Sequence, residues 1–360
     1  MKKSLIACAA MLAAGYVSAQ DTTAQNPLTV SGYAEVYYSY DFNRPLNNNK
    51  ASFLYSHARN NEVNINLAYI KAAYNTDKVR ANLSLAAGNY MNANYAAEPG
   101  VLKNIYEANA GIKLSKKSNL WLDAGIFASH IGFESAISKD CWTLTRSLLA
   151  ENSPYYESGV KLGYTSANNK WFLSAMYLNG WQRITRVDGN TTPAFGTQVT
   201  FKPSDKITLN SSTFIGNDKP DSVKQMRYFH NFYGIFQLSK QLGITTGFDY
   251  GMEQKTKGSS GMNHWYSPVV ILKYSPDDKN SIAMRGEYYA DPKGVIIATG
   301  TEDGFKTFGW SINYDRQIVT NAVWRIEYRG FNGKNNYFIK NNNNYSSNDN
   351  FLTTSLAISF

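Results

Sequence analysis

The chain has 360 residues and a formal net charge of +9, with 26 Tyr, 18 Phe and 7 Trp under a polar mean hydropathy of −0.40. Outside the N-terminal leader no apolar run reaches 18 residues, which excludes a helical membrane protein. Cys8 falls in that leader, so the remaining cysteine, Cys141, has no intramolecular partner, and disulfide stapling is excluded as well.

Lys2 and Lys3, the apolar stretch from Leu5 to Val17 and the small-residue site Val17-Ser18-Ala19 read as a cleaved secretory signal peptide over 1–19. A short polar linker, 20–27, comes next, and period-two alternation then starts at once. In the first strand Val30, Ala34, Val36, Tyr38 and Tyr40 share one face, while Ser31, Tyr33, Glu35 and Ser39 share the other. The second strand is expected to group Val63, Ile65, Leu67 and Tyr69 on one side. The third groups Val79, Ala81, Leu83 and Leu85, opposed by Arg80, Asn82 and Ser84. The fourth groups Tyr106, Ala108, Ala110 and Ile112 against Glu107, Asn109 and Lys113.

Connections then alternate between long and short through the whole chain. Tight turns fall at 75–78, 115–119, 165–169, 202–205, 239–241, 275–279 and 315–320, all rich in turn-forming residues. Long connections fall between them. The intervals give about 16 strands of about ten residues, the length of a tilted membrane-crossing strand. A soluble sandwich has no cause to place long loops at every second connection. A membrane barrel does, with short periplasmic turns and long extracellular loops. The expected fold is therefore all-β, a closed transmembrane antiparallel barrel over 28–360. Lipid offers no partners to backbone groups, so the first strand must pair with the last, 351–360. That last strand ends on Phe360, an aromatic ending like the signal read by barrel-assembly machinery.

The third long connection, about 131–154, carries Glu134, Lys139, Asp140, Arg146 and Glu151 among Phe133, Trp142, Leu144, Leu148 and Leu149. Such an apolar loop would be a sticky patch outside, so it is expected to fold inward and narrow the lumen. A short helix over 138–151 is expected, with Trp142, Leu148 and Leu149 against the wall and Lys139, Arg146 and Glu151 facing the channel. The alternation puts Glu35, Arg80, Glu107, Lys113, Asp123, Glu157, Lys161, Asp249, Arg285, Glu287, Arg325, Glu327 and Arg329 on the lumen side. The late-strand set Arg285, Arg325, Glu327 and Arg329 reads either as a salt-bridge ladder that stiffens the wall or as an anion-steering ladder.

The stretch from Asp123 to Thr165 and Leu178-Asn-Gly-Trp-Gln-Arg-Ile184 closely resemble the OmpL-like β-barrel porin family. Asn94 to Gly111 and Ser31 to Asn43 look similar to the same family. The resemblance implies a barrel in the outer membrane of a Gram-negative cell, in contact with its lipid, that passes small hydrophilic solutes by diffusion. It brings no substrate and no catalytic residues. A homotrimer suits a barrel of this size, though no residue marks one.

Other classes find less support. The four His, at 57, 130, 230 and 264, sit in no catalytic motif, metal spacings are absent, and no cofactor or phosphate-binding glycine motif occurs. The positive residues are scattered rather than clustered, which argues against nucleic acid. The Asn-rich segment 332–350 keeps a glycan-binding surface barrel in view as the alternative, with an outer-membrane hydrolase behind it.

Overall fold

The computed structural model describes residues 26–341 and 344–360. The leader and most of the linker lie outside the described residues. Within the described chain, sixteen strands close into one antiparallel barrel in sequence order. The first four are β1 (Leu28–Asp41), β2 (Val63–Asn75), β3 (Val79–Ala87) and β4 (Ile105–Lys113). Next come β5 (Asn119–Ala128), β6 (Tyr156–Thr165), β7 (Trp171–Leu178) and β8 (Ala194–Ser204). Then come β9 (Ile207–Gly216), β10 (Arg227–Gln237), β11 (Leu242–Gln254) and β12 (Met262–Tyr274). The last are β13 (Asn280–Asp291), β14 (Phe305–Val319), β15 (Ala322–Gly333) and β16 (Asn348–Ser359). We number the long extracellular loops L1 to L8 in chain order. A two-stranded ribbon, Phe338–Ile339 against Tyr345–Ser346, decorates L8.

The closing seam runs from Tyr33 opposite Ser359 to Asp41 opposite Phe351. Gly32 and Phe360 finish it by exchanging both backbone bonds, at 2.8 and 3.0 Å. The Phe360 ring lies over Gly32, where an added Cβ would stand 2.3 Å from it.

Outward positions form the lipid face: Val30, Leu83, Leu85, Ile112, Val270, Leu272 and Ile312 are all exposed. Asn82 and Ser84 alternate with them and point inward. Leu83→Arg is therefore expected to destabilise the barrel by about 2–4 kcal/mol, and Asn82→Arg by far less. Denaturant titration in lipid vesicles measures both, and equal losses would refute the facing.

Register shifts fall near the ends of β8 and β14, and two more, within β2 and β4, re-aim side chains of the wall. Glu35 stands opposite Leu67 but Val36 opposite Ile65, which leaves Asn66 as an extra residue in β2. The face flips there: Val63 and Ile65 look outward, whereas Leu67 is fully buried inside and Ile70 is 63% exposed. A second bulge leaves Tyr106 extra in β4, because Ser84 faces Glu107 and Leu85 faces Ile105. The expected groupings Val63-Ile65-Leu67-Tyr69 and Tyr106-Ala108-Ala110-Ile112 are thus corrected. A bulge puts two residues against one and re-aims the side chains beyond it. Tyr69, turned inward, stacks between Tyr33 and Tyr106 with ring centroids 5.7 and 5.5 Å apart.

The interior is not polar throughout. Toward the extracellular end, Phe127, Leu178, Phe214, Phe229, Trp265, Phe305, Phe331 and Phe351 turn inward and bury against Phe53 of L1, Leu148 of L3 and Phe338 of L8. Aromatic residues at those inward positions give the infolded loops an apolar wall to pack on.

Candidate functional site

Loop L3 connects β5 to β6 and crosses the barrel interior. Its fold is two short turns joined by extended chain rather than the expected helix over 138–151. A single 3-10 turn covers Ser138–Asp140, and a one-turn helix covers Leu148–Glu151. Thr143 and Thr145, buried between the two turns, are β-branched and sit poorly in a helix. Ser147 caps this one-turn helix by accepting the Ala150 N–H at 3.2 Å.

L3 leans on β11, where two glycines leave room for its large side chains. A Cβ at Gly243 would stand 2.7 Å from the Trp142 ring, and one at Gly247 2.7 Å from Phe133. Leu149 completes this contact on Val269, Ile271 and Ala283. Trp142 and Leu149 thus sit against the wall, while Leu148 packs into the aromatic cluster above.

The late-strand arginines fasten the middle of the loop. Arg285 donates from Nη1 to Thr143 Oγ1 at 2.9 Å and to the Thr145 carbonyl at 2.8 Å, and from Nη2 to Glu327 at 2.9 Å. Arg325 bonds the carbonyls of Ser138 and, at 3.0 Å, Cys141, while gripping Asp315 through Nε at 2.7 Å. Arg329 donates to the Arg146 carbonyl at 2.7 Å and to Glu287 at 2.6 Å. The wall carboxylates answer in kind: Glu327 accepts the Thr145 N–H at 2.5 Å and Glu287 the Leu148 N–H at 2.6 Å. Guanidinium forks satisfy carbonyls and carboxylates at once, and the three arginines are buried. This is a clamp on a loop. Its ion pairs are those of the expected salt-bridge ladder, and their burial leaves no solvated charge there to steer an anion.

Two of the expected channel-facing charges, Arg146 and Glu151, are also spent inside the fold, as is Glu134. Arg146 is fully buried, bonded to the carbonyls of Ser135 at 2.5 Å, Leu144 at 2.6 Å and Ala136 at 3.1 Å. Glu134 accepts the Ser147 N–H at 3.0 Å. Glu151 accepts N–H groups of Tyr55 at 2.8 Å and Ser56 at 3.2 Å, tying L3 to L1. Burial pushes the Glu151 carboxyl up to about 7, with the Tyr55 N–H pulling the other way. Lys139 and Asp140 are the exceptions. They pair with each other at 3.2 Å and remain partly open to water.

L3 reaches the far wall at β1, where Ser138 donates to Glu35 at 2.5 Å and contacts the Tyr33 hydroxyl at 3.2 Å. Glu35 also meets His57 of L1 at 3.2 Å and Asn66, the bulge residue, at 3.0 Å. The early wall carries separate pairs. Arg80 forks onto Asp123 at 2.6 and 2.5 Å and lies 4.3 Å from the Trp121 ring centre. Lys71 meets Glu107 at 2.5 Å. Lys113 sits near the periplasmic rim and Lys161 beside Phe127, at 4.5 Å.

The sequence did not mark Thr143, Thr145, Glu287 or Asp315 as partners of L3. Asp315 stands directly opposite Arg325, and Glu287 lies two residues after Arg285. That charge pattern was readable. The loop threonines carried no signal.

A family model described as "Putative beta-barrel porin-2, OmpL-like" matches residues 27–360. Comparison with curated protein sequences gives no match. Among solved structures, the anion-selective porin from Comamonas acidovorans is 7% identical with a TM-score of 0.60, covering 92% of this chain and 99% of that one. OmpT of Vibrio cholerae, in its trimer form, is 11% identical with a TM-score of 0.59, covering 92% and 99%. DcaP, an outer-membrane channel of Acinetobacter baumannii, is 11% identical with a TM-score of 0.58, covering 92% and 97%. At these identities the likeness is one of fold.

Proposed function

The chain belongs to that porin family, and from this premise we propose how its outer-membrane barrel passes solutes. Small hydrophilic molecules diffuse through water in the lumen, and L3 sets the narrowest level. The observation that carries this reading is the span of L3. Rooted between β5 and β6, it is held by the arginines of β13 and β15 and touches β1 through Ser138. Lys139 and Asp140 are the L3 charges that solutes meet there. Phe360 is proposed as the residue that assembly machinery reads, and a homotrimer is the proposed assembled form.

No chemical step is needed. Ser211 and His230 lie 2.8 Å apart but on the outward face of β9 and β10, away from the lumen. Among the described residues, no group of His, Cys, Asp and Glu could hold a metal ion.

The direct test is single-channel recording of the refolded chain in planar bilayers. Discrete steps are expected, and deletion of residues 138–151 should enlarge them. A heat-modifiable barrel that never conducts would overturn the reading. It would favour the glycan-binding alternative, which draws on a cavity of about 600 Å³ at the mouth lined by Asn47, Asn49, Asn336, Tyr337 and Tyr345.

A further inference from the structure

We propose that two lysines, Lys161 on β6 and Lys273 on β12, set the ion selectivity of the channel, and that the solutes they favour are small anions. The inference rests on the channel reading above and comes from which lumenal charges are left over.

The arginines are not left over. Arg285, Arg325 and Arg329 each lie within 4.0 Å of a carboxylate and are sealed under L3. Arg80 and Lys71 are matched by Asp123 and Glu107. Carboxylates without a cation exist inside the barrel, but they are out of reach. Glu157 is fully buried, and Asp249 is buried against Asn231.

Lys161 and Lys273 differ on both counts. Both are partly exposed on the lumen side of their strands, and among the described residues neither has a carboxylate within ion-pair distance. Each ammonium is held near an aromatic ring instead. Lys161 Nζ stands 4.5 Å from the centre of Phe127, and Lys273 Nζ 5.9 Å from that of Trp142. A ring positions a cation without cancelling its charge, so the positive field stays available to a passing ion. Lys273 also opens, with Lys139, onto a polar vestibule of about 370 Å³ on the periplasmic side of L3. Lys161 stands on the opposite wall.

Solutes in the narrow lumen pass within a Debye length of about 8–10 Å of fixed charges at ordinary ionic strength. Low-dielectric walls focus such fields, so unmatched charges rather than total charge decide which ion enters. On the strand walls the unmatched charges open to the lumen are Lys161 and Lys273, joined by Lys113 at the end of β4, while Asp277 and Asp278 line the vestibule from the turn after β12.

The test is the reversal potential under a potassium chloride gradient, using the full-length channel and its Lys161→Glu, Lys273→Glu and doubly substituted variants. The wild type should favour chloride. Each single substitution should lower the chloride-to-potassium permeability ratio, and the pair should bring it below one while discrete steps persist. Lys117→Glu, on an exposed turn, should leave the ratio unchanged. A cation-preferring wild type, or a double variant with the wild-type ratio, overturns the assignment while leaving the channel reading intact. A wild type without steps overturns the channel reading and this one with it.

Discussion

Replacing Arg285 with alanine should destabilise the barrel by about 3–5 kcal/mol, the usual effect of stripping one partner from a buried ion cluster. Glu327 and Glu287 would be left charged in a site closed to water, and Thr143 and Thr145 would each lose a donor. The loss should be concentrated in L3, because the hydrogen-bond ladder of the wall does not depend on this side chain. Single-channel traces should therefore become noisier, with larger and more variable steps. Denaturant titration in vesicles and bilayer recording measure the two effects separately. A control separates charge from shape: Arg285→Met combined with Glu327→Leu should recover much of the stability, since apolar replacement of a buried pair is often neutral. It should not restore the quiet traces, because the loop carbonyls would still lack donors. Normal stability and unaltered steps in Arg285→Ala would show that the clamp holds nothing.

Phe331→Ala should destabilise by about 3–5 kcal/mol, as large-to-small changes in a packed core do. The residue faces the barrel interior, where an open channel would make truncation almost free. Here its ring stacks on Phe338 at 5.7 Å and 13°, and lies 6.0 Å from Phe351 and 6.3 Å from Phe53. Those neighbours belong to L8, β16 and L1, so one truncation loosens two loops and a strand together. Phe308→Ala, on the lipid face of β14, should have a markedly smaller effect. Proteolysis of L1 and L8 in intact vesicles provides the second readout, with faster cleavage expected for Phe331→Ala alone. Equal stability losses for the two variants would contradict an aromatic core inside the barrel.

The barrel itself was legible because its signals are local and repeated. Turn residues recur at every second connection, and β3, β12, β13, β15 and β16 keep strict alternation. The bulges in β2 and β4 were hidden for a physical reason. An extra residue changes which way later side chains point, but not the order of apolar and polar types along the chain. Val63, Ile65, Leu67 and Tyr69 read as one face whether or not Asn66 is skipped in the ladder. The inward course of L3 was foreshadowed by Trp142, Leu148 and Leu149, whose exposure would be unfavourable. The fate of its charges was not. Arg146 binds carbonyls of its own loop, and every residue has a carbonyl, so nothing in the sequence distinguishes the ones it selects. Glu151 is likewise consumed by two backbone N–H groups of L1. The late arginines were placed on the correct side of their strands, but what they hold depends on a loop 140 to 187 residues earlier.

The seam between β1 and β16 bears on how the protein matures. Gly32 and Phe360 are hydrogen-bonded neighbours, yet they stand at opposite ends of the barrel sequence. Until the final strand is available, β1 presents an unsatisfied edge, and every intermediate sheet carries a second one that moves along the chain as strands are added. Such edges are templates for pairing with any other extended chain. The structure thus has a period of vulnerability written into its topology. It ends only when the closing strand, β16, pairs with β1.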